Sequence, residues 1–176
     1  SSKQSSNYSG IKLKYFKTIK IDGFDSLLHS FKATWDIIYG NTADIVHIHS
    51  GANSFWAIFL RLAGKTVYIS QFAMDWKRDK WPWYARLFYR ISNFLTAHIP
   101  NGVIFDNIYT REYFEKKYKK SFSFIPYGSE ISSIANLDST VLKTIDVKPG
   151  KYLLFVGRFI PDKGIHLLVE AFKKVK

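Results

Sequence analysis

The sequence predicts an α/β fold built on a parallel sheet, and two observations carry that expectation. Short β-branched runs such as "DIVHIHS" and "KTVYISQ" alternate with segments whose apolar residues recur at helical spacing, the order of strand–helix–strand units. Apolar residues make up 47% of the 176-residue chain, which supports a packed core and argues against disorder.

Residues 11–21, "IKLKYFKTIKI", alternate apolar and basic side chains and are expected as a half-exposed strand. Asp22 and Gly23 make a turn. A helix follows, with Leu27, Leu28, Phe31, Trp35 and Ile38 on one stripe and Gly40 as its stop. "DIVHIHS" is a strand, "ANSFWAIFLRLAGK" a helix ending at Gly64, and "KTVYISQ" the next strand. The stretch 71–82, "QFAMDWKRDKWP", breaks the period and reads as a loop. Pro82 suits the first turn of the helix "WYARLFYRISNFLTA". A strand is expected near "HIPNGVIFD", a helix over "NIYTREYFEKKYKK", and a strand and turn at "FSFIPYG". Three segments result: an α/β domain at 1–130, a polar linker at 131–149, and the start of a second domain at 150–176.

Composition narrows the partners. Twenty-six Lys and Arg against 14 Asp and Glu leave a net charge of +12, suited to nucleic acid, an anionic membrane surface or phosphorylated small molecules. No recognisable nucleic-acid reader accompanies that charge, so nucleic acid is not expected as a partner. The chain has no cysteine, which excludes disulfides and thiolate metal sites and fits a reducing cytoplasm. No apolar run reaches spanning length, and "SSKQSSNYSG" does not resemble a signal peptide. With Met74 as the lone methionine, the chain is expected to be a piece of a longer protein.

Ligands of an open parallel sheet bind beyond the carboxyl ends of its strands. Those ends are expected at His49–Asn53, Gln71–Lys80, Asp106–Asn107 and Gly157–Lys163. In "LLFVGRFIPDKGIHLLVEAF", Gly157 permits close backbone approach, Arg158 offers planar paired donors, and Lys163 adds a compact cation near a helix start at 162–164. Such a loop suits a diphosphate, although it has neither the P-loop nor the dinucleotide glycine pattern. In the loop 71–82, Asp75 is placed to orient a hydroxyl, Trp76 or Trp81 to stack on a sugar, and Lys77, Arg78 and Lys80 to meet a diphosphate. His47 and His49 are expected to face opposite ways, His49 toward a cleft and His47 toward the core, which argues against a shared metal. Asn107 or Asp106 is expected to cap the following helix. The helix "WPWYARLFYRISNFL", with Arg86 and Arg90, either faces the core or lies on an anionic membrane.

"VGRFIPDKGIHLLVEAF" closely resembles the start of the C-terminal domain of family 4 glycosyltransferases, which have the two-domain GT-B fold. "ADIVHIHS", "LRLAGKTVYISQ", "MDWKRDKW" and "FSFIPYGSE" agree with it in order, and Asp75-Trp76-Lys77-Arg78 with Lys80-Trp81 is similar to the rhamnosyltransferase-like subgroup. The resemblance covers nearly the whole chain. It implies a Rossmann-like acceptor-side domain lacking its N-terminal part, followed by the first strand–helix unit of the donor domain. It further implies a fragment of a retaining bacterial glycosyltransferase, inactive alone, that acts in surface polysaccharide assembly in the cytoplasm or at the inner face of the membrane. Its partners would be a nucleotide sugar and a saccharide or lipid-linked acceptor, with no metal or other cofactor. The resemblance assigns the donor diphosphate to Gly157, Arg158 and Lys163. His49, Asp75, Trp76, Lys77, Arg78 and Lys80 fall on the acceptor side, and no catalytic residue is assigned. Relatives carry His-Gly where this chain has Phe72-Ala73, a departure that bears on catalysis. The alternative is a non-catalytic module binding anionic glycolipid or membrane surface.

Overall fold

Period-two burial along short strands sets the frame of the molecule. The structure is a computed structural model that describes residues 7–19, 24–72, 74, 81–128, 144, 147–148 and 150–175. In chain order it contains β1 (Asn7–Tyr8), β2 (Ile11–Lys12), α1 (Phe24–Gly40), β3 (Ile45–His49), a 3-10 turn (Gly51–Asn53), α2 (Ser54–Leu62) and β4 (Thr66–Gln71). There follow α3 (Trp83–His98), β5 (Gly102–Phe105), α4 (Ile108–Tyr118), β6 (Ser123–Phe124), a 3-10 turn (Pro161–Lys163) and α5 (Ile165–Lys173). The chain divides into two units, Ser1–Ser129 and Glu130–Lys176.

In the first unit β3, β4, β5 and β6 lie side by side in that order, all parallel. The expected Rossmann-like α/β arrangement is therefore present. Val46 stands opposite Val67, and Ile48 opposite Ile69, which in turn stands opposite Val103. These residues share one face of the sheet. Ala57 and Leu60 of α2 pack on Val46, Val67 and Ile69, joined by Ile37 and Ile38 of α1. Ala97 of α3 and Phe114 of α4 pack on Val103 and Phe105. With parallel strands in sequential order and crossovers of one hand, as the general rule for such connections expects, the connecting helices gather on this one face. The other face carries Ile45, His47, His49 and Tyr68, all exposed.

Two expected strands differ in the structure. Among the described residues of 11–21, Ile11 and Lys12 pair, antiparallel to Tyr8 and Asn7 rather than in the main sheet, and 13–19 form no strand. The following residues lean on α1 instead: Lys14 is paired with Asp36, Lys32 Nζ donates to the Lys17 carbonyl, and Phe16 meets His29 edge-on. Charge and ring partners on the helix take the place of ladder bonds. In the second unit, residues 152–156 form no strand, because a strand needs a hydrogen-bonded neighbour and none lies beside them among the described residues. The helix expected after them is present as α5, preceded by the Pro161–Lys163 turn rather than starting at 162–164. Most of the linker 131–149 lies outside the described residues.

Candidate functional site

The carboxyl edge of the sheet begins where β3 gives way to a turn. Ser50 adopts φ 116° and ψ 124°, a backbone region that non-glycine residues avoid at a cost of about 1–3 kcal/mol. Three contacts hold it there. Its N–H donates to the Ser70 carbonyl at 3.1 Å, its carbonyl accepts from Asn53 N at 3.1 Å, and its hydroxyl accepts from Ala52 N at 3.3 Å. The kink carries Gly51 against β4 and α3, where a Cβ would force the Gln71 side chain to move. A Cβ at Gly51 would stand 1.8 Å from Gln71 Oε1 and 3.0 Å from Thr96 Oγ1.

Aromatic rings from three separate segments line up along this edge. The His47 and His49 rings lie 4.3 Å apart, His49 and Phe72 6.3 Å apart and nearly parallel, and Phe72 and Tyr127 6.0 Å apart at 22°. Phe72 is half-buried, while His49 and Tyr127 are exposed. Tyr127 arrives from beyond β6, since the chain continues past Ile125, whose N–H donates to the Phe105 carbonyl at 2.9 Å. Gln71 stands opposite Phe105, so the next residues, Phe72 and Asp106, are neighbours at the edge. Asp106 Oδ1 is buried and has no hydrogen-bond partner among the described residues, and the same holds for Asn93 Nδ2 on α3.

His47 and His49 share a face, contrary to the expectation from sequence. Side chains alternate along a strand, so residues two apart point the same way. The argument against a shared metal that rested on opposed faces therefore falls. No third His, Cys, Asp or Glu completes a group with the pair among the described residues. His47 Nε2 lies 2.8 Å from Ser70 Oγ. Partial desolvation lowers the pKa of His47, exposed though its side chain is, and the neighbouring His49 lowers it further, so the neutral ring is favoured. Beside these histidines a cleft of about 200 Å³ opens between α1 and β3, with His29, Ser30, Asn53 and Trp56 on its walls. The Trp56 indole N–H is buried without an acceptor among the described residues.

Asn107 is the helix cap of α4, its side chain accepting from Thr110 N at 3.1 Å. Asp75, Trp76, Lys77, Arg78 and Lys80 lie outside the described residues. Gly157, Arg158 and Lys163 belong to the second unit. Arg158 and Lys163 are exposed, and neither joins an ion pair among the described residues. The loop between them is closed by Ile160 N donating to the Arg158 carbonyl at 2.9 Å and Lys163 N to the Ile160 carbonyl at 3.0 Å. Gly164, at φ 66°, then admits the chain to α5. His49, the first-unit candidate that lies within the described residues, belongs to the aromatic row. The sequence reading missed Tyr127, and treated Phe72 only as a departure from a family pattern. An aromatic residue at each of two strand ends was the available signal.

A profile for the family described as a domain of unknown function (DUF1972) matches residues 37–130. No curated protein matches the chain. The matched span runs from the last turn of α1 through β6, so it contains all four parallel strands and the whole row from His47 to Tyr127. By that match over more than half its length, the chain belongs to the DUF1972 family.

Proposed function

We propose that the chain is the acceptor-side α/β unit of a retaining glycosyltransferase, with the beginning of its donor-binding unit. The reaction would move a sugar from a nucleotide-sugar donor to a saccharide or lipid-linked acceptor in bacterial surface polysaccharide assembly. The observation that carries this reading is the row of rings at the carboxyl edge of a parallel sheet. Ligands of such sheets gather at this edge, and aromatic faces suit the C–H surface of a pyranose. The ordered series of motifs, ending in "VGRFIPDKG", supports the same reading.

In that reaction the acceptor hydroxyl oxygen bonds to the anomeric carbon as the bond from that carbon to the diphosphate oxygen breaks. The hydroxyl proton passes to the departing phosphate, so no protein base is required. Arg158 and Lys163 stabilise the negative charge that develops on the diphosphate. Phe72, standing where the relatives carry histidine, offers a stacking surface in place of a hydrogen bond.

Binding measurements on the chain test both halves of the proposal. Inorganic diphosphate is expected to bind and to lose on the order of tenfold affinity in Arg158→Ala or Lys163→Ala. Methyl glucoside, followed by saturation-transfer NMR, is expected to contact the Phe72 and Tyr127 rings and to lose that contact in Tyr127→Ala. Diphosphate affinity unchanged by both cation variants, or absence of any ring contact, would sink the assignment.

A further inference from the structure

Helix α3 turns many of its large apolar side chains outward, while Phe88, stacked on Phe55, and Tyr89 face inward. Trp83, Leu87, Ile91 and Phe94 recur at helical spacing and form one stripe, with Tyr84 at its margin. All five are exposed, from 43% at Ile91 to 76% at Trp83. The side pressed against the rest of the unit includes the small or polar residues Ser92, Asn93, Thr96 and Ala97. These are held by specific bonds: Ser54 Oγ donates to the Ser92 carbonyl at 2.8 Å, and Thr96 Oγ1 to the Gly51 carbonyl at 3.5 Å. A surface helix ordinarily shows the reverse arrangement, with its largest apolar residues inward.

The surroundings of the stripe are basic. Helix α3 contains no acidic residue, and Arg90 beside the stripe is exposed. At its carboxyl end, Lys120 Nζ donates to the Ala97 carbonyl at 3.0 Å and the Tyr118 ring meets His98 at 5.5 Å. Those two contacts bring the carboxyl end of α4, which carries the exposed Lys116 and Lys117 and is followed by the exposed Lys119, beside the carboxyl end of α3.

We propose that α3 is a membrane-surface site, lying in the plane of an anionic bilayer with the Trp83–Phe94 stripe among the lipids and the α4 lysines on the headgroup phosphates. Sixteen residues make a rod of about 24 Å, and no described helix is long and apolar enough to cross a membrane. Trp83 and Tyr84 have the apolar body and polar tip that settle at the lipid–water boundary. A net charge of +12 favours an anionic surface and opposes pairing with a second copy of the chain. This inference stands independently of glycosyl transfer.

The test is co-sedimentation of the chain with vesicles of phosphatidylcholine, with and without phosphatidylglycerol. Binding is expected only with phosphatidylglycerol, weakening as salt is added. Leu87→Glu with Phe94→Glu should abolish it without changing the thermal melting profile, since both side chains are exposed. Replacing Lys116, Lys117 and Lys119 by Gln should weaken it on the order of a hundredfold, roughly fivefold per lysine, and this second variant decides the matter if the first unfolds. Three results overturn the proposal: equal binding to the neutral vesicles, undiminished binding by a folded Leu87→Glu, Phe94→Glu protein, or no vesicle binding alongside self-association that the same variant removes. The last would assign the stripe to a second copy.

Discussion

Phe72 stacks on Tyr127 with ring centroids 6.0 Å apart and planes 22° from parallel, although one follows β4 and the other follows β6. The pair ties the loop after the last strand to the middle of the sheet edge. An aromatic pair contributes about 0.5–1.5 kcal/mol beyond the area it buries, and the exposure of Tyr127 puts this one at the lower end. A double-mutant cycle of Phe72→Ala and Tyr127→Ala, followed by urea denaturation, should return a coupling of about 0.5–1 kcal/mol. Simple additivity of the two variants would show that the rings are neighbours without energetic contact.

A side chain at Gly51 is expected to be costly. Its Cβ would meet Gln71, itself only 4% exposed, and Thr96, which is fully buried. With little room for either to withdraw, Gly51→Ala should destabilise the unit by about 1–3 kcal/mol. Thermal melting measures this directly. An unchanged melting temperature would mean that the Ser50 turn shifts freely.

His47 makes stability depend on pH. Its folded pKa lies below the ordinary histidine value of 6.5, mainly through partial desolvation and then through His49. The unfolded chain therefore binds the proton more readily than the folded one, and stability falls as pH drops from above 6.5 toward the folded value. His47→Gln keeps a polar group facing Ser70 and removes the titration, so the slope of urea midpoint against pH should flatten in this variant. An identical slope in both proteins would place the acid sensitivity elsewhere.

Helix α4 starts at a cap whose loss can be isolated. Asn107→Ala removes the acceptor for Thr110 N and should lower stability by about 1 kcal/mol, while Asn107→Asp should retain most of it. Equal stability of the Ala and Asp variants would show that solvent satisfies the exposed N–H as well as the side chain does.

Much of the fold was legible because its signals are local. The helical spacing in "FDSLLHSFKATWDIIYG" and the β-branched "TVYIS" correspond to α1 and β4 closely, since each pattern depends on residues within a turn or two. The strand expected at 11–21 failed because its alternation of apolar and basic residues is equally well satisfied beside α1, where Asp36 and His29 supply partners. The strand expected after residue 151 failed because pairing is a property of two segments. Within the candidate site, the cap at Asn107 could be read from its place before a helix, whereas the Phe72–Tyr127 stack could not.

The sequence by itself determined the order of strands and helices, the basic charge and the placement of aromatic residues at strand ends. The two-residue period of a strand also puts His47 and His49 on one face, and the opposite faces expected for them misapplied that period. Tertiary structure decided which face that is, since the crossover helices all cover the opposite one. It also decided that α3 buries Ser92, Asn93 and Thr96 while leaving Trp83, Leu87, Ile91 and Phe94 outside. A helix with apolar residues on more than one side can be docked in more than one rotation. The hydrogen bonds of Ser54 with Ser92 and of Thr96 with Gly51, made across segments far apart in the chain, select the one observed.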